Sequence, residues 1–375
     1  MRYIASWVRE HNWRVVLLPT MLLLIGCGSQ FGASGDWGGV VTYEDSLYAT
    51  TQKSGIIELD MDTGLVKRSF NGADADEGLG AIYSVPVVGD NLLYVATYDG
   101  IIYALDLRSP DFGGSMGSWS VDSGALTETS SRIVGGMAYS EGKLVFGSTD
   151  GNVYALDGKT GHLVWKHTTE GMIWSTPTIS DGVCYVGSMD HNLYALDLED
   201  GTKKWKYEST GAIVMAPVVV DGRVLFGALD HRFYGLDQTT GFVDWSFSGN
   251  SNWFWAAPVV ANGTAYAASI DGIIYALNLQ DGTQRWKFDV GSSVVVAPIL
   301  TDESVIVGSD SGKVWFIDRM SGGKSFEPGY TPVGDKVRSA MALAKGTVFG
   351  ATVDNQIWAI DPERGQRHWT YNVVD

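Results

Sequence analysis

One short phrase, returning at intervals of roughly forty residues, constrains this chain more than any other feature. Its clearest copy is Ala155-Leu156-Asp157-Gly158-Lys159-Thr160-Gly161-His162-Leu163-Val164-Trp165. It returns from Ala195-Leu196-Asp197 to Trp205, Gly235-Leu236-Asp237 to Trp245, Ala276-Leu277-Asn278 to Trp286, and Ala359-Ile360-Asp361 to Trp369. Weaker copies run from Glu58-Leu59-Asp60 to Arg68, Ala104-Leu105-Asp106 to Trp119, and Phe316-Ile317-Asp318 to Phe326. A unit this small cannot bury a hydrophobic face alone, so it must stack on copies of itself. No helical period is visible, and short Val/Ile/Tyr runs alternate with Asp-Gly and Thr-Gly, which predicts strands and hairpins throughout. The expectation is an all-β chain: an eight-bladed β-propeller of four-stranded antiparallel blades over residues 38–375.

One repeat can be read strand by strand. Ser175–Ser180 is predicted as the first strand, Val183–Ser188 the second, Asn192–Asp197 the third and Thr202–Tyr207 the fourth. Asp181-Gly182 suits a two-residue hairpin turn. Five prolines, Pro86, Pro177, Pro217, Pro258 and Pro298, share one position in the first strand. Proline donates nothing to a ladder, so this strand is expected at an edge, facing a central channel.

The A-L-D-x-x-T-G-x-x-x-W pattern resembles the tryptophan docking motif of PQQ-like repeats. Such repeats occur in quinoprotein alcohol dehydrogenases and in outer-membrane assembly factors of the BamB type. The resemblance implies that Trp119, Trp165, Trp205, Trp245, Trp286 and Trp369 pack between neighbouring blades. Arg68 and Phe326 depart from the motif, which predicts looser docking by blades 1 and 7. Blade 2 carries an insertion, Ser109–Gly117, in its last hairpin.

The N-terminus reads as an address. Arg2, Arg9 and Arg14 precede an apolar run from Val15 to Ile25, too short to span a bilayer but suited to a signal-peptide core. It ends in Leu24-Ile25-Gly26-Cys27, which resembles a bacterial lipobox. The reading is a signal peptide over 1–26, a lipid-bearing Cys27, a tether over 27–37, and attachment to a bacterial membrane, at the periplasmic face of the outer membrane or the cell surface. Gly28 stands where an Asp would resemble inner-membrane retention. The other cysteine, Cys184, falls in a predicted strand as an inert buried thiol.

The formal charge of −17 disfavours nucleic acid and anionic lipid as direct partners. Two cysteines make no disulfide framework and no metal spacing. His191 and His231 occupy equivalent turns of adjacent repeats, where Gly100, Gly151, Gly272 and Asn355 also stand. That pattern reads as a left-handed turn position rather than a metal site. The quinoprotein dehydrogenases need a catalytic Asp, a Ca²⁺ site and often a vicinal Cys pair; this chain has no Cys-Cys and mostly short loops. The expectation is therefore no cofactor, no metal, and a scaffold rather than an enzyme. A quinoprotein dehydrogenase and a glycan-binding propeller are the alternatives.

The scaffold reading expects a protein partner at the cell envelope, with the chain monomeric in a larger complex. The loops preceding each first strand should share a face with the second-to-third-strand turns. On that face Asn71–Gly80, Asp122–Ile133 and Glu327–Val337 are long, and Trp253, Phe254 and Trp255 stand together. Three residues ahead of the proline position are Trp37, Tyr83, Val134, Trp174, Val214, Trp255, Val295 and Arg338. These either line the channel mouth or form a docking rim. The candidate partner-binding residues are Trp253, Phe254, Trp255, Trp174, Tyr83 and Arg338. Neighbouring side chains of an extended segment alternate in direction, so at least one of the three successive aromatics should be exposed.

Overall fold

The computed structural model describes residues 38–51, 55–71, 79, 81–112, 118–122, 132–249 and 252–373. It is an eight-bladed β-propeller, each blade a four-stranded antiparallel sheet in sequence order. The blades run over residues 40–70, 87–122, 137–168, 178–208, 218–247, 259–289, 299–332 and 342–372, and no strand is exchanged between them. The signal peptide, Cys27, the tether and Trp37 lie outside the described residues, as do most of Asn71–Gly80 and Asp122–Ile133 and the end of the Ser109–Gly117 insertion.

Blade 4 shows how the sequence builds the unit. Its strands are Thr178–Ser180, Val183–Gly187, Asn192–Asp197 and Lys203–Glu208. Asp181 and Gly182 both have positive φ, 52° and 68°, the geometry of a tight hairpin turn. The first strand is shorter than expected: Pro86, Pro177, Pro217, Pro258 and Pro298 each stand immediately ahead of it, not within it. It is still an edge strand, and first strands of successive blades approach one another, which places them innermost around the axis.

Burial follows from the stacking. The second and third strands are buried on both faces, while the fourth is largely exposed. Instead of one central core there are eight apolar clusters, one at each interface between blades. Between blades 3 and 4, for example, Val145, Val153 and Trp165 meet Cys184, Val186 and Leu196.

The Asp-led turn and the tryptophan form one device. Asp157 Oδ1 accepts from the Thr160 amide at 2.9 Å, the Thr160 hydroxyl at 2.8 Å and the Lys159 amide at 3.1 Å. Gly161, at φ 73°, closes the turn. The pairing of third and fourth strands is irregular beside the motif in blades 1, 3, 4, 5, 6 and 8, the kind of bulge that re-aims a side chain. The indole crosses to the next blade, lies over its turn glycine and donates to the carbonyl one residue after its Asp or Asn. Trp165 reaches Leu198 O at 2.8 Å, Trp205 Gln238 O at 3.1 Å, and Trp245 Leu279 O at 3.0 Å. Trp119 and Trp286 do the same to Gly158 O and Arg319 O. A Cβ on Gly201 would stand 2.6 Å from the Trp165 ring, so glycine is required there for contact as well as for φ.

The ring closes by the same rule. Trp369 of blade 8 donates to Met61 O of blade 1 at 2.9 Å and lies over Gly64. A parallel bridge between Gly39 and Ala340 adds a second link.

Arg68 and Phe326 solve their junctions differently. Arg68 donates to Leu107 O at 2.7 Å, the equivalent carbonyl of blade 2, and also to Ser109 O. Its guanidinium lies 3.9 Å from the centroid of Phe112, which the blade 2 insertion supplies where other blades place glycine. Phe326 packs over Gly365 without a hydrogen bond; Thr331 supplies one instead, to Gly365 O at 2.7 Å.

Candidate functional site

The two families of loops expected to share a face do so, through one hydrogen bond repeated around the ring. In seven blades an amide in the second-to-third-strand turn donates to the incoming loop: Tyr98 to Ala81, Thr149 to Arg132, Met189 to Met172, Leu229 to Ala212, Ile270 to Trp253, Asp310 to Ser293 and Val353 to Lys336. The next residue of each incoming loop is a plug. Ile82, Ile133, Ile173, Ile213, Phe254, Val294 and Val337 are almost fully buried. Four plugs, Ile173, Ile213, Phe254 and Val337, use the room a glycine leaves at or near the end of a second strand: a Cβ on Gly187 would stand 2.4 Å from Ile213, and one on Gly227 would stand 2.3 Å from Phe254.

This register corrects one candidate. Phe254 is fully buried, with its ring against Phe233 and Tyr275, so it cannot anchor a partner. Repeat alignment carried the signal, since Trp255 aligns with Trp174 and Phe254 therefore aligns with Ile173. The flanking Trp253 and Trp255 are half-buried, which is the alternation an extended segment requires. Trp253 packs its ring edge-on to His231. It occupies the repeat position of Met172, a 44 % exposed side chain on the same face that sequence reasoning missed.

Trp174, Tyr83, Trp255 and Arg338 occupy one equivalent half-buried position around the rim. Tyr83 meets Tyr98 edge-on, and Trp174 Nε1 is buried with no acceptor among the described residues. Arg338 forms a two-pronged ion pair with Asp310, at 2.8 Å and 2.5 Å. That bidentate pair fixes its plane and makes it a less available anchor than the aromatic residues.

The same face carries an Asp in the second-to-third-strand turn of seven blades: Asp99, Asp150, Asp190, Asp230, Asp271, Asp310 and Asp354. Three of them are braced by the third strand, Tyr154 donating to Asp150 at 2.6 Å, Tyr194 to Asp190 at 2.7 Å and Tyr234 to Asp230 at 2.5 Å. Burial, joined by the charge and hydrogen bond of the adjacent carboxylate, pushes these phenols well above their ordinary range. Burial works against the Asp190 carboxylate, but the Tyr194 hydroxyl and neighbouring amides outweigh it and hold its pKa low. These tyrosines are therefore braces for charged turns and stay protonated.

His191 and His231 have φ of 73° and 66°, as the glycines and Asn355 at their position do, so backbone conformation accounts for both. Among the described residues no group of three or more His, Cys, Asp or Glu side chains is placed to hold a metal ion. Cys184 is fully buried, and desolvation pushes its thiol up to about 12, far from the reactive range.

With this geometry, the comparisons with known proteins are consistent in fold and divided in activity. The family model described as outer membrane protein assembly factor BamB matches residues 12–172, 115–215 and 174–254. A stretch of 146 residues, 38% of this chain and 20% of the relative, is 29% identical to 1-butanol dehydrogenase (cytochrome c) of Thauera butanivorans. Another of 110 residues, 28% of this chain and 27% of the relative, is 33% identical to outer membrane protein assembly factor BamB of Salmonella typhimurium. The matches thus span about a fifth and about a quarter of these relatives' length.

Among solved structures, the computationally designed Ika8 protein aligns with a TM-score of 0.73 at 17% identity, over 87% of this chain and 96% of that one. BamB from Moraxella catarrhalis aligns at 0.54 and 20% identity, over 63% and 71%. Quinohemoprotein alcohol dehydrogenase from Comamonas testosteroni aligns at 0.64 and 15% identity, over 78% and 67%. At these identities the structures speak to fold. The sequence relatives overturn one expectation, that the chain is a scaffold rather than an enzyme: a dehydrogenase stands among them. The repeat itself is what both kinds of relative share, and a blade-docking motif carries no information about activity. The chain belongs to the PQQ-repeat family whose model is described as outer membrane protein assembly factor BamB.

Proposed function

We propose that this chain serves as a cell-envelope scaffold, anchored by a lipid on Cys27, which docks a protein partner as a single copy within a larger outer-membrane assembly complex. The docking face is the one built from the incoming loops and the second-to-third-strand turns. The observation that carries the reading is the set of half-buried aromatic side chains there, Tyr83, Trp174, Trp253 and Trp255, with Met172 exposed beside them. Rigid aromatic anchors set in a tightly hydrogen-bonded rim suit protein recognition. Away from this face, Leu65 and Val66, Leu163 and Val164, Phe242 and Val243, Met320, and Leu343 are exposed in ones and twos on separate blades.

The test compares Trp253→Ala with Lys203→Ala in pull-downs from gently solubilised membranes. Lys203 is exposed at the start of the fourth strand of blade 4, away from this face. A true anchor typically contributes at least about 2 kcal/mol, so partners should be lost from the first variant and kept by the second. Equal recovery by both, with folding intact, would rule this face out.

The relationship to 1-butanol dehydrogenase supports a second reading, a redox propeller acting on an alcohol. The described residues gather no acidic cluster that fits the calcium of a quinone site, so no catalytic step is derived. Under this reading, protein incubated with PQQ and Ca²⁺ should retain the quinone through gel filtration and reduce an artificial acceptor with 1-butanol. Retention without turnover, or neither, removes it.

A further inference from the structure

A cavity stands away from the docking face. It opens on the opposite side, where the first strands of blades 6, 7 and 8 end in their hairpins, and its volume is about 610 Å³. That is the size range of small-molecule sites. Val260, Leu300, Leu343 and Pro362 give it apolar walls. Asp302, Glu303 and Glu363 stand exposed at its edge, and Arg319 lines it.

Arg319 is the unusual member. Its side chain is buried, at 8 % exposure, yet no carboxylate among the described residues pairs with it. Nη1 donates to Thr301 O at 2.7 Å and Asp302 O at 3.0 Å, which fixes the guanidinium against the hairpin of blade 7. Nε is buried with no acceptor among the described residues and so presents no surface to a ligand, while Nη2 makes no hydrogen bond among them and is the donor left for one. A guanidinium donor without a protein acceptor gains a charge-assisted hydrogen bond when a ligand oxygen supplies one. Nothing in the docking motif requires this arginine, because Trp286 uses only the backbone carbonyl of residue 319.

We propose that this cavity binds a neutral saccharide of a few units, with Arg319 donating to its oxygens and Glu303 and Glu363 accepting from its hydroxyls. Charge selects the class. One guanidinium against three carboxylates leaves the mouth net negative, within a chain of charge −17, so a free anion is repelled. A cation would satisfy the carboxylates but leave the arginine unpaired and add repulsion to it. A sugar hydroxyl both donates and accepts, so one ligand satisfies both kinds of group. The apolar walls can cover its C–H faces. This site is independent of the docking face, and either assignment can fail without the other.

The probes are maltotriose, cellotriose and triacetylchitotriose, titrated calorimetrically and by saturation-transfer NMR into the wild-type protein. At least one should bind, and Arg319→Lys and Glu363→Gln should each weaken it by about tenfold, the loss expected for a charged hydrogen bond. Glu363 is exposed, so its variant tests the site even if Arg319→Lys unfolds the blade 7 hairpin. The proposal is overturned if none of the three binds. It also fails if binding survives Glu363→Gln unchanged, or if a lysine-rich peptide binds in their place and is lost in that variant.

Discussion

The junction between blades 3 and 4 and the junction between blades 1 and 2 reach the same carbonyl by opposite chemistry. In the first, an aromatic ring lies over glycine and donates one hydrogen bond, Trp165 to Leu198. In the second, a cation lies over an aromatic ring, Arg68 over Phe112, and donates to Leu107. The indole brings most of its stabilisation as buried apolar area. The guanidinium brings directed hydrogen bonds, but it must also be neutralised. Glu58 does this from the same blade, 8 % exposed beside it, and Ser46 holds the other carboxylate oxygen at 2.6 Å. The repeat therefore specifies where a donor must arrive, and tolerates two ways of delivering it.

The largest effect should come from Trp165→Ala. Trp165 is 6 % exposed, and its loss should destabilise by about 3–5 kcal/mol, as buried aromatic truncations do. Trp205→Ala should cost less, because Trp205 is more exposed. Repeat arrays often unfold in more than one step, so the shift in thermal midpoint is the readout. Equal shifts for the two would show that burial does not set the strength of this junction.

Arg68→Ala should come next, at about 3 kcal/mol, the low end for removing one partner of a buried pair, since Arg68 keeps some exposure. The comparison sharpens with Arg68→Ala combined with Glu58→Gln, which removes the stranded charge. Partial recovery of the midpoint would show that the arginine junction depends on neutralising Glu58. No recovery would show that the lost contact with Phe112 dominates.

The smallest effect is shared by both junctions and concerns pH. The Thr160 hydroxyl, with the Thr160 and Lys159 amides, holds the Asp157 carboxyl below its usual range despite partial desolvation. Asp106, which leads the turn that receives Arg68, is lowered first by the Arg108 amide. A depressed folded pKa stabilises fully above the unfolded value of about 3.9, and that contribution is lost as pH falls through the folded value. Stability should therefore decline below about pH 4, and Asp157→Asn should flatten that slope slightly. An unchanged slope would mean the turn carboxylates do not drive the acid response.

Much of this fold was legible because each signal was local and repeated eight times. The turn glycines, the Asp caps and the tryptophan spacing each follow from short-range geometry. The prolines were legible as edge markers, but their place one residue ahead of the strand was not, since strand ends depend on the ladder partner. At the rim, composition misled where register would not. Three aromatics in a row suggested a sticky patch, whereas Phe254 plugs the space above Gly227. Met172 was overlooked because a lone methionine carries no pattern; only its hydrogen-bonded equivalence to Trp253 places it on the face.

Alone, the sequence determined the repeat, the number of blades, the edge position of the first strand and the face on which each loop emerges. These depend on contacts within one repeat or on its strict recurrence. The tertiary structure decided what happens where nonequivalent residues meet: that Arg68 finds Phe112, that Trp369 closes the ring on Met61, and that Arg319 is buried beside a cavity with no carboxylate partner among the described residues. Those partners are separated by dozens to hundreds of residues, and no periodicity encodes them. They exist because closing eight blades into a ring forces each last strand against whatever the next blade presents.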